Sequence, residues 1–274
     1  MHRPSNVGSP VLQKLKLLGI QVQHGYSPEA RVFATLLGNR QGSFEATVLH
    51  QHTAQDRSAA DTFAHASVSR VRQLDFGWRR HPPLPAAIAR RVAGRLRYRV
   101  GLHQATRAAT AYAPDVIYSN QQKWDCDIAT RLAEKLHRPQ IIHLHYTVGP
   151  WLGRQVLHRL LSCEHVITVS DFIREEAFRH GVLPHRVATV LNPMPVQPLP
   201  SPQTRQDVRY ELGVPADATF VGIVARIDRF KGHHDTVAAF ARIAARHGDA
   251  RLAIVGDGDQ RSAIQAQIQQ AGLS

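Results

Sequence analysis

The sequence predicts an α/β fold built on parallel sheets and divided into two domains. Short apolar runs alternate with helical stretches along the whole length, the pattern of repeated strand–helix–strand units. A chain of 274 residues with 43% hydrophobic residues has enough apolar material for one large core or two smaller ones. A proline-rich stretch late in the chain separates a long first series of elements from a short second one.

The first strand is read at Leu15 to Val22 (LKLLGIQV), followed by a polar turn, Gln23 to Pro28, and a helix over Glu29 to Leu37. Pro28 suits a first helical turn, where its missing N–H has no partner to lose. Phe44 to His50 (FEATVLH) is a second buried strand, so one strand–helix–strand unit closes by about residue 50 and a polar segment follows. A helical stretch then runs from Pro82 toward Tyr112. Asp115 to Ser119 returns as a strand and Asp127 to His137 as a helix, and Ile141 to His145, His165 to Val169 and Val187 to Leu191 continue the strand series.

Pro195 to Gln206 is expected to be an interdomain linker, because its prolines block both helix and ladder donors. It divides an N-terminal domain, 1–194, from a C-terminal one, 207–274. In the latter, Phe220 to Ala225 (FVGIVA) is a strand, Asp235 to His247 a helix, Arg251 to Val255 a strand, Gly256 to Asp259 a tight turn and Arg261 to Gln270 a helix.

Composition narrows the classes. Two cysteines, Cys126 and Cys163, do not make a disulfide framework, and the N-terminus lacks the apolar run of a secretion signal. No window reaches the roughly 18 apolar residues of a membrane span. The expectation is a cytoplasmic protein that meets a membrane, if at all, peripherally at its inner face.

The charge is +13, from 34 Lys+Arg against 21 Asp+Glu. Much of the excess is arginine between Trp78 and Arg107. An anionic partner follows, whether a phosphorylated substrate, an anionic leaflet or nucleic acid. Nucleic acid fits least, since basic residues are not interleaved with aromatic ones. Within 78–107, Ile88, Val92, Leu96 and Val100 recur at helical spacing with the arginines mostly off that stripe. That pattern suits either a core-packed helix with a solvated face or a surface helix lying on an anionic leaflet.

The chemistry is concentrated in VARIDRFKG, residues 224 to 232. It places Arg226 and Lys231 on the loop leaving a strand, just before a helix N-terminus, where open parallel sheets bind phosphates. Two cations there can hold a diphosphate and offset charge developing on it. The bland alternative is two solvated cations in a basic chain.

VARIDRFKG, a helix, and then LAIVGDGDQR together resemble the family 4, group 1 retaining glycosyltransferases of GT-B fold, with an Ala-Arg step, a Lys-Gly helix start and a Gly-Asp-Gly turn in that order. VITVSDFIREEAFRHG with VATVLNPM looks like the close of the family's acceptor-side domain. PQIIHLHYTVGP looks like the strand that delivers a histidine to its cleft.

By that resemblance the fold would be two Rossmann-like domains, the second incomplete. Arg226 and Lys231 would grip the diphosphate of a nucleotide sugar such as a UDP- or GDP-sugar. Gly256 and Gly258 would shape a turn facing the nucleotide, and His145 would contact the transferred sugar or the acceptor. Gly25 is the one residue of the first loop suited to a close phosphate approach.

The bland reading of His145, and of His143 on the same face, is a histidine satisfied at a strand end. Ser170 reads as a helix cap and Asn192 as a turn residue before proline.

The resemblance implies retaining transfer of a sugar to a glycan or lipid-linked acceptor in polysaccharide or glycolipid biosynthesis, with neither metal nor other cofactor. The family's spaced pair of glutamates after the Gly-Asp-Gly turn has no counterpart here, so the expectation is a truncated product of a longer enzyme. A non-catalytic remnant and a basic nucleic-acid binder stay open as other classes.

Overall fold

The structure is a computed structural model and describes residues 14–22, 28–38, 44–51, 63, 70–74, 87–120, 123–194 and 198–273. The chain divides into two compact units, 1–194 and 195–274.

In the N-terminal unit, strands β1 (Leu15–Gln21), β2 (Phe44–Gln51), β3 (Arg70–Leu74), β4 (Val116–Ser119), β5 (Gln140–Leu144), β6 (His165–Thr168) and β7 (Val187–Thr189) form one sheet. It is parallel throughout, in the order β3-β2-β1-β4-β5-β6-β7. The order reverses between β1 and β4. At such a switch point the connecting helices leave to opposite sides and open a crevice beyond the carboxyl ends of the strands.

The helices are α1 (Pro28–Gly38), α2 (Ala87–Tyr112), α3 (Lys123–Leu136), α4 (Arg154–Ser162) and α5 (Asp171–Arg179). Alternation along β1 splits its side chains between two cores. Leu18, Ile20 and Val22 join Ala105, Ala108 and Ala109 of α2 and Ile128 and Leu132 of α3. Leu17 joins Phe33 and Leu37 of α1. Between them a Cβ at Gly19 would stand 2.3 Å from the Phe33 ring, so glycine there lets the aromatic ring lie on the strand. A third core gathers Ile142, Leu144, Leu160, Val166 and Ile173 under α4 and α5.

Of the two readings of the arginine-rich helix, the core-packed one does not hold for its apolar stripe. Its bulky stripe is not what packs: Val92 is 62% exposed, Leu96 63% and Val100 48%. The buried contacts come from small residues near its C-terminal end, with Tyr98, Leu102 and Tyr112 packed beside them, because alanines let a helix approach the sheet closely. Tyr98 is anchored further by donating to Asp127 Oδ2 at 2.6 Å. Trp78 to Pro85 lie outside the described residues.

In the C-terminal unit, α6 (Pro202–Glu211) precedes strand β8 (Phe220–Val224), helix α7 (His233–Ala244), strand β9 (Arg251–Val255) and helix α8 (Arg261–Gln270). The two strands are parallel. Part of the expected linker is therefore helical. Ser201 caps α6 by accepting from the Thr204 amide at 3.0 Å, and Pro202 sits in its first turn, where a proline initiates a helix rather than blocking it. The small core of this unit is Ile227, Val237 and Ile264, with Ile254, Ile268 and Leu273 against it.

Candidate functional site

In the N-terminal unit the carboxyl ends of β1, β4 and β5 carry a polar cluster at the switch point. Gln21 closes β1, Asn120 follows β4, and His145 and Tyr146 follow β5. Asn120 Nδ2 donates to Gln21 Oε1 at 2.9 Å and to the Glu29 backbone carbonyl at 2.7 Å. His145 Nε2 lies 3.0 Å from Asn120 Oδ1, and the Tyr146 hydroxyl bonds the Glu29 carboxylate. Asp125, buried in the first turn of α3, accepts from the Val22 amide at 2.6 Å and so fixes the backbone where β1 gives way to the first loop.

The two expected histidines do share a face, with ring centroids 4.3 Å apart. His143 is 1% exposed and hydrogen-bonds the Tyr118 hydroxyl through Nδ1 at 2.5 Å, while its Nε2 has no partner among the described residues. Burial, with the neighbouring His145, pushes the His143 imidazole down to about 3. Burial also lowers His145 to about 4, although the Glu29 carboxylate acts the other way. Both rings are therefore neutral at neutral pH. Burial pushes the Tyr118 phenol well above its ordinary range, which keeps it a donor.

Gly25 lies outside the described residues. Ser170 is a cap, accepting from the Ile173 amide at 3.3 Å, and Asn192 is exposed in the loop after β7.

In the C-terminal unit Arg226 and Lys231 stand on the loop between β8 and α7. Arg226 Nε donates to Asp228 Oδ2 at 2.8 Å, and the other carboxylate oxygen accepts from the Phe230 amide at 2.8 Å. That amide bond, with the Arg226 guanidinium beside it, holds the Asp228 carboxyl below its ordinary range. Asp228 thus braces both the loop and the arginine, a role the sequence reading did not assign. Lys231 is exposed. His233 opens α7 at 1% exposure, and neither ring nitrogen has a partner among the described residues.

The glycines of the second turn have a structural cause of their own. A Cβ at Gly256 would lie 1.9 Å from the Ala225 carbonyl oxygen, and one at Gly258 would lie 2.1 Å from that of Ile227. The loops after β8 and β9 are stitched together by Ile227 N to Asp257 O at 2.9 Å and Gln260 N to Ile227 O at 3.1 Å. Backbone against backbone already requires glycine there, and the same stitching fixes the loop that carries Arg226.

A family model described as "Glycosyl transferases group 1" matches residues 204–274, the segment holding both loops. Residues 204–274 thus match the group 1 glycosyltransferases. Beyond this group 1 segment, a 2-deoxystreptamine N-acetyl-D-glucosaminyltransferase of Streptomyces fradiae is 29% identical over 223 residues, 70% of this chain and 51% of that protein. The chain thus spans about half the length of the curated relative it matches.

HepE from Anabaena, solved in complex with UDP, superposes with a TM-score of 0.71 at 18% identity, over 94% of this chain and 67% of HepE. A glycosyltransferase from Rickettsia africae gives 0.66 at 11% identity, over 95% and 66%. At these identities the structural likeness establishes the fold, that of the GT-B glycosyltransferases with a Rossmann-like sheet in each unit.

Among the described residues no group of three or more His, Cys, Asp or Glu is placed to hold a metal ion. None of the described helices is long and apolar enough to cross a membrane.

Proposed function

We propose that this chain contributes the acceptor-side domain and the opening of the donor-binding domain of a retaining glycosyltransferase. The enzyme would move a sugar from a nucleotide diphosphate to a glycan or lipid-linked acceptor. The observation that carries the reading is the β8–α7 loop of the group 1 segment, where Arg226 and Lys231 precede a helix N-terminus. Charge that develops on a departing diphosphate meets two cations and the amides of α7 in a loop already fixed by its neighbour, so little reorganisation is needed as the bond breaks. Retention follows if the departing phosphate takes the acceptor's proton on the face it leaves.

The donor class is a UDP-sugar, supported by the fold shared with HepE, whose structures hold UDP and UDP-glucose. The Streptomyces fradiae relative adds an aminocyclitol to the acceptor classes worth trying. The test is calorimetric titration of the chain with UDP and UDP-sugars, followed by UDP release in the presence of glycan, lipid-linked and aminocyclitol acceptors. Binding that Arg226→Ala weakens about tenfold, together with release, supports the reading. Binding without release leaves a non-catalytic donor-binding remnant, and neither binding nor release overturns it.

A second reading is carried by α2. Its exposed Val92, Leu96 and Val100 lie beside exposed Arg95, Arg99 and Arg107 on a helix without a single carboxylate. That combination suits an anionic leaflet, where the apolar groups enter the interface and the guanidinium groups meet headgroup phosphates. The expected result is flotation with vesicles containing phosphatidylglycerol but not with pure phosphatidylcholine, abolished by Leu96→Asp. Equal recovery with both overturns it, and displacement by bulk DNA would indicate nucleic acid instead.

A further inference from the structure

We propose that Asp228 is a positioning residue for Arg226: it holds the guanidinium at Nε and so presents the two terminal nitrogens, end-on, to a pair of linked phosphates. The linked phosphates as the group met rest on the transfer reading above; the hold on Nε does not.

Every polar atom of Asp228 is engaged within its own loop. Its amide donates to the Arg226 carbonyl at 2.9 Å, and its carbonyl accepts from the Lys231 amide at 3.3 Å. One carboxylate oxygen accepts from the Phe230 amide and the other from Arg226 Nε, each at 2.8 Å. Ile227, between the two partners, is tied through its own amide and carbonyl to the loop after β9. The Asp228 side chain is accordingly 12% exposed, against 74% for that of Arg226. The anchor is fixed, and the group it holds stands in water.

That geometry decides which part of the arginine is left over. A guanidinium carries five N–H donors in a rigid plane, one on Nε and four on the terminal nitrogens. With Nε–H committed to Asp228, the edge shared by the terminal nitrogens lies at the far end of the side chain, and they make no hydrogen bond among the described residues. This edge is the one that pairs bidentately with phosphate oxygens. Of the other cations of the loop, Arg229 lies over the Phe230 ring, 4.5 Å from its centroid, and Lys231 offers a point charge without a fork. Arg226 is therefore the cation of this loop whose fork is held in a set direction by a carboxylate.

An exposed arginine samples many rotamers and loses that freedom when it closes on a ligand. Asp228 removes part of the freedom beforehand. Its charge also repels an anionic ligand, so the two effects of one side chain oppose each other and can be told apart.

The test is calorimetric titration of the full chain with UDP and UMP across Asp228→Asn, Arg226→Ala and the double variant. Asp228→Asn removes the charge and leaves one oxygen for two donors. It is expected to weaken UDP about fivefold and UMP less than about twofold, and to cause no further loss once Arg226 is replaced by alanine. Arg226→Lys keeps the charge without the fork and should weaken UDP nearly as far as Arg226→Ala. A further measurement needs no ligand. The Arg226 Nε–H signal, assigned by its absence from the Arg226→Lys spectrum, should exchange with water more slowly than that of exposed Arg205 and lose this protection in Asp228→Asn.

Tighter or unchanged UDP binding by Asp228→Asn overturns the proposal, because the carboxylate would then act by charge alone or not at all. A loss that persists in full on the Arg226→Ala background overturns it too and assigns Asp228 to the fold of the loop. Should Asp228→Asn fail to fold, full UDP affinity in Arg226→Lys or an unprotected wild-type Nε–H overturns the proposal instead. A protected Nε–H in a chain that binds no UDP overturns the transfer reading alone.

Discussion

In the N-terminal unit every residue of β4 is buried and the last five residues of β1 are covered, whereas in the C-terminal unit Val224 of β8 is 80% exposed and Val255 of β9 is 54% exposed. Both sheets are parallel, and both are built from the same apolar runs. Coverage separates them. A parallel strand becomes stable when helices lie on both its faces and neighbours on both its edges. β1 has β2 and β4 at its sides and helices above and below, while β8 and β9 pair only with each other among the described residues. The first unit thus carries its stability in a core, and the second keeps the loops after β8 and β9 in shape by direct backbone bonding.

The largest test of that contrast is truncation of one strand residue in each unit. Leu18, with no exposed surface, joins the core beneath α2 and α3. Leu18→Ala is expected to cost about 3 to 5 kcal/mol of unfolding free energy. Val224→Ala removes a side chain already in water and should change stability by less than about 0.5 kcal/mol. Urea unfolding followed by site-resolved hydrogen exchange reads both. A large cost at Val224 would mean that some surface covers β8 in solution.

Acid provides the next break. His143 has a folded pKa of about 3, below the roughly 6.5 of an unfolded histidine. The folded state therefore favours the neutral ring. As pH falls below about 6.5 the unfolded chain takes up the proton first, and stability is lost progressively toward pH 3. At pH 5 the loss from this group alone is about 2 kcal/mol. His143→Gln, which keeps a hydrogen-bonding partner for Tyr118 but cannot titrate in this range, should flatten the acid limb of the Tm profile. An unchanged limb would place the acid sensitivity elsewhere.

The stitched loops of the C-terminal unit come third. A methyl at Gly258 would meet the Ile227 carbonyl oxygen at 2.1 Å, and backbone yields less readily than the end of a side chain. Gly258→Ala should cost about 1 to 3 kcal/mol and lower UDP affinity with it, since the displaced loop carries Arg226. Gly213→Ala adds a side chain where nothing lies within 4 Å but φ is +64°, so it separates backbone conformation from close approach. It should leave UDP affinity unchanged.

These contrasts also explain what could be read from sequence. Runs such as LKLLGIQV and FVGIVA announced their strands because buried parallel strands are apolar end to end. Strand β3 (RVRQL) escaped notice because it joins one edge of the sheet, against β2, with little apolar character of its own. Helix α6 was hidden by prolines that act as a start signal once Ser201 is seen to cap them. Arg226 and Lys231 stood out as two cations on a loop between a strand and a helix N-terminus, and His145 through the resemblance of its strand to the one that delivers a histidine to the family's cleft.

Asn120, Glu29 and Asp228 did not stand out. Their roles come from contacts such as the 91-residue separation between Asn120 and the Glu29 carbonyl, which no local pattern encodes. The end of β4 at the switch point was the one available cue to Asn120. Ligand crowding was the sequence's reason for Gly256 and Gly258, and only the folded backbone brings up the opposing carbonyls that already require glycine.

The smallest expected effect separates binding from stability within the second unit. Lys231 is exposed, and its backbone amide donates to the Asp228 carbonyl at 3.3 Å. Folding desolvates little of its ammonium group, so Lys231→Ala should shift unfolding free energy by less than about 0.5 kcal/mol. A diphosphate held at the α7 N-terminus would nevertheless lose one of its two cations, a loss of about 1.4 kcal/mol or about tenfold in UDP affinity. Lys231→Arg keeps the charge and should recover most of that affinity. Tenfold weaker binding at unchanged stability, read by calorimetry and urea unfolding on the same protein, assigns Lys231 to the ligand. Equal affinity in the alanine variant would assign it to solvent.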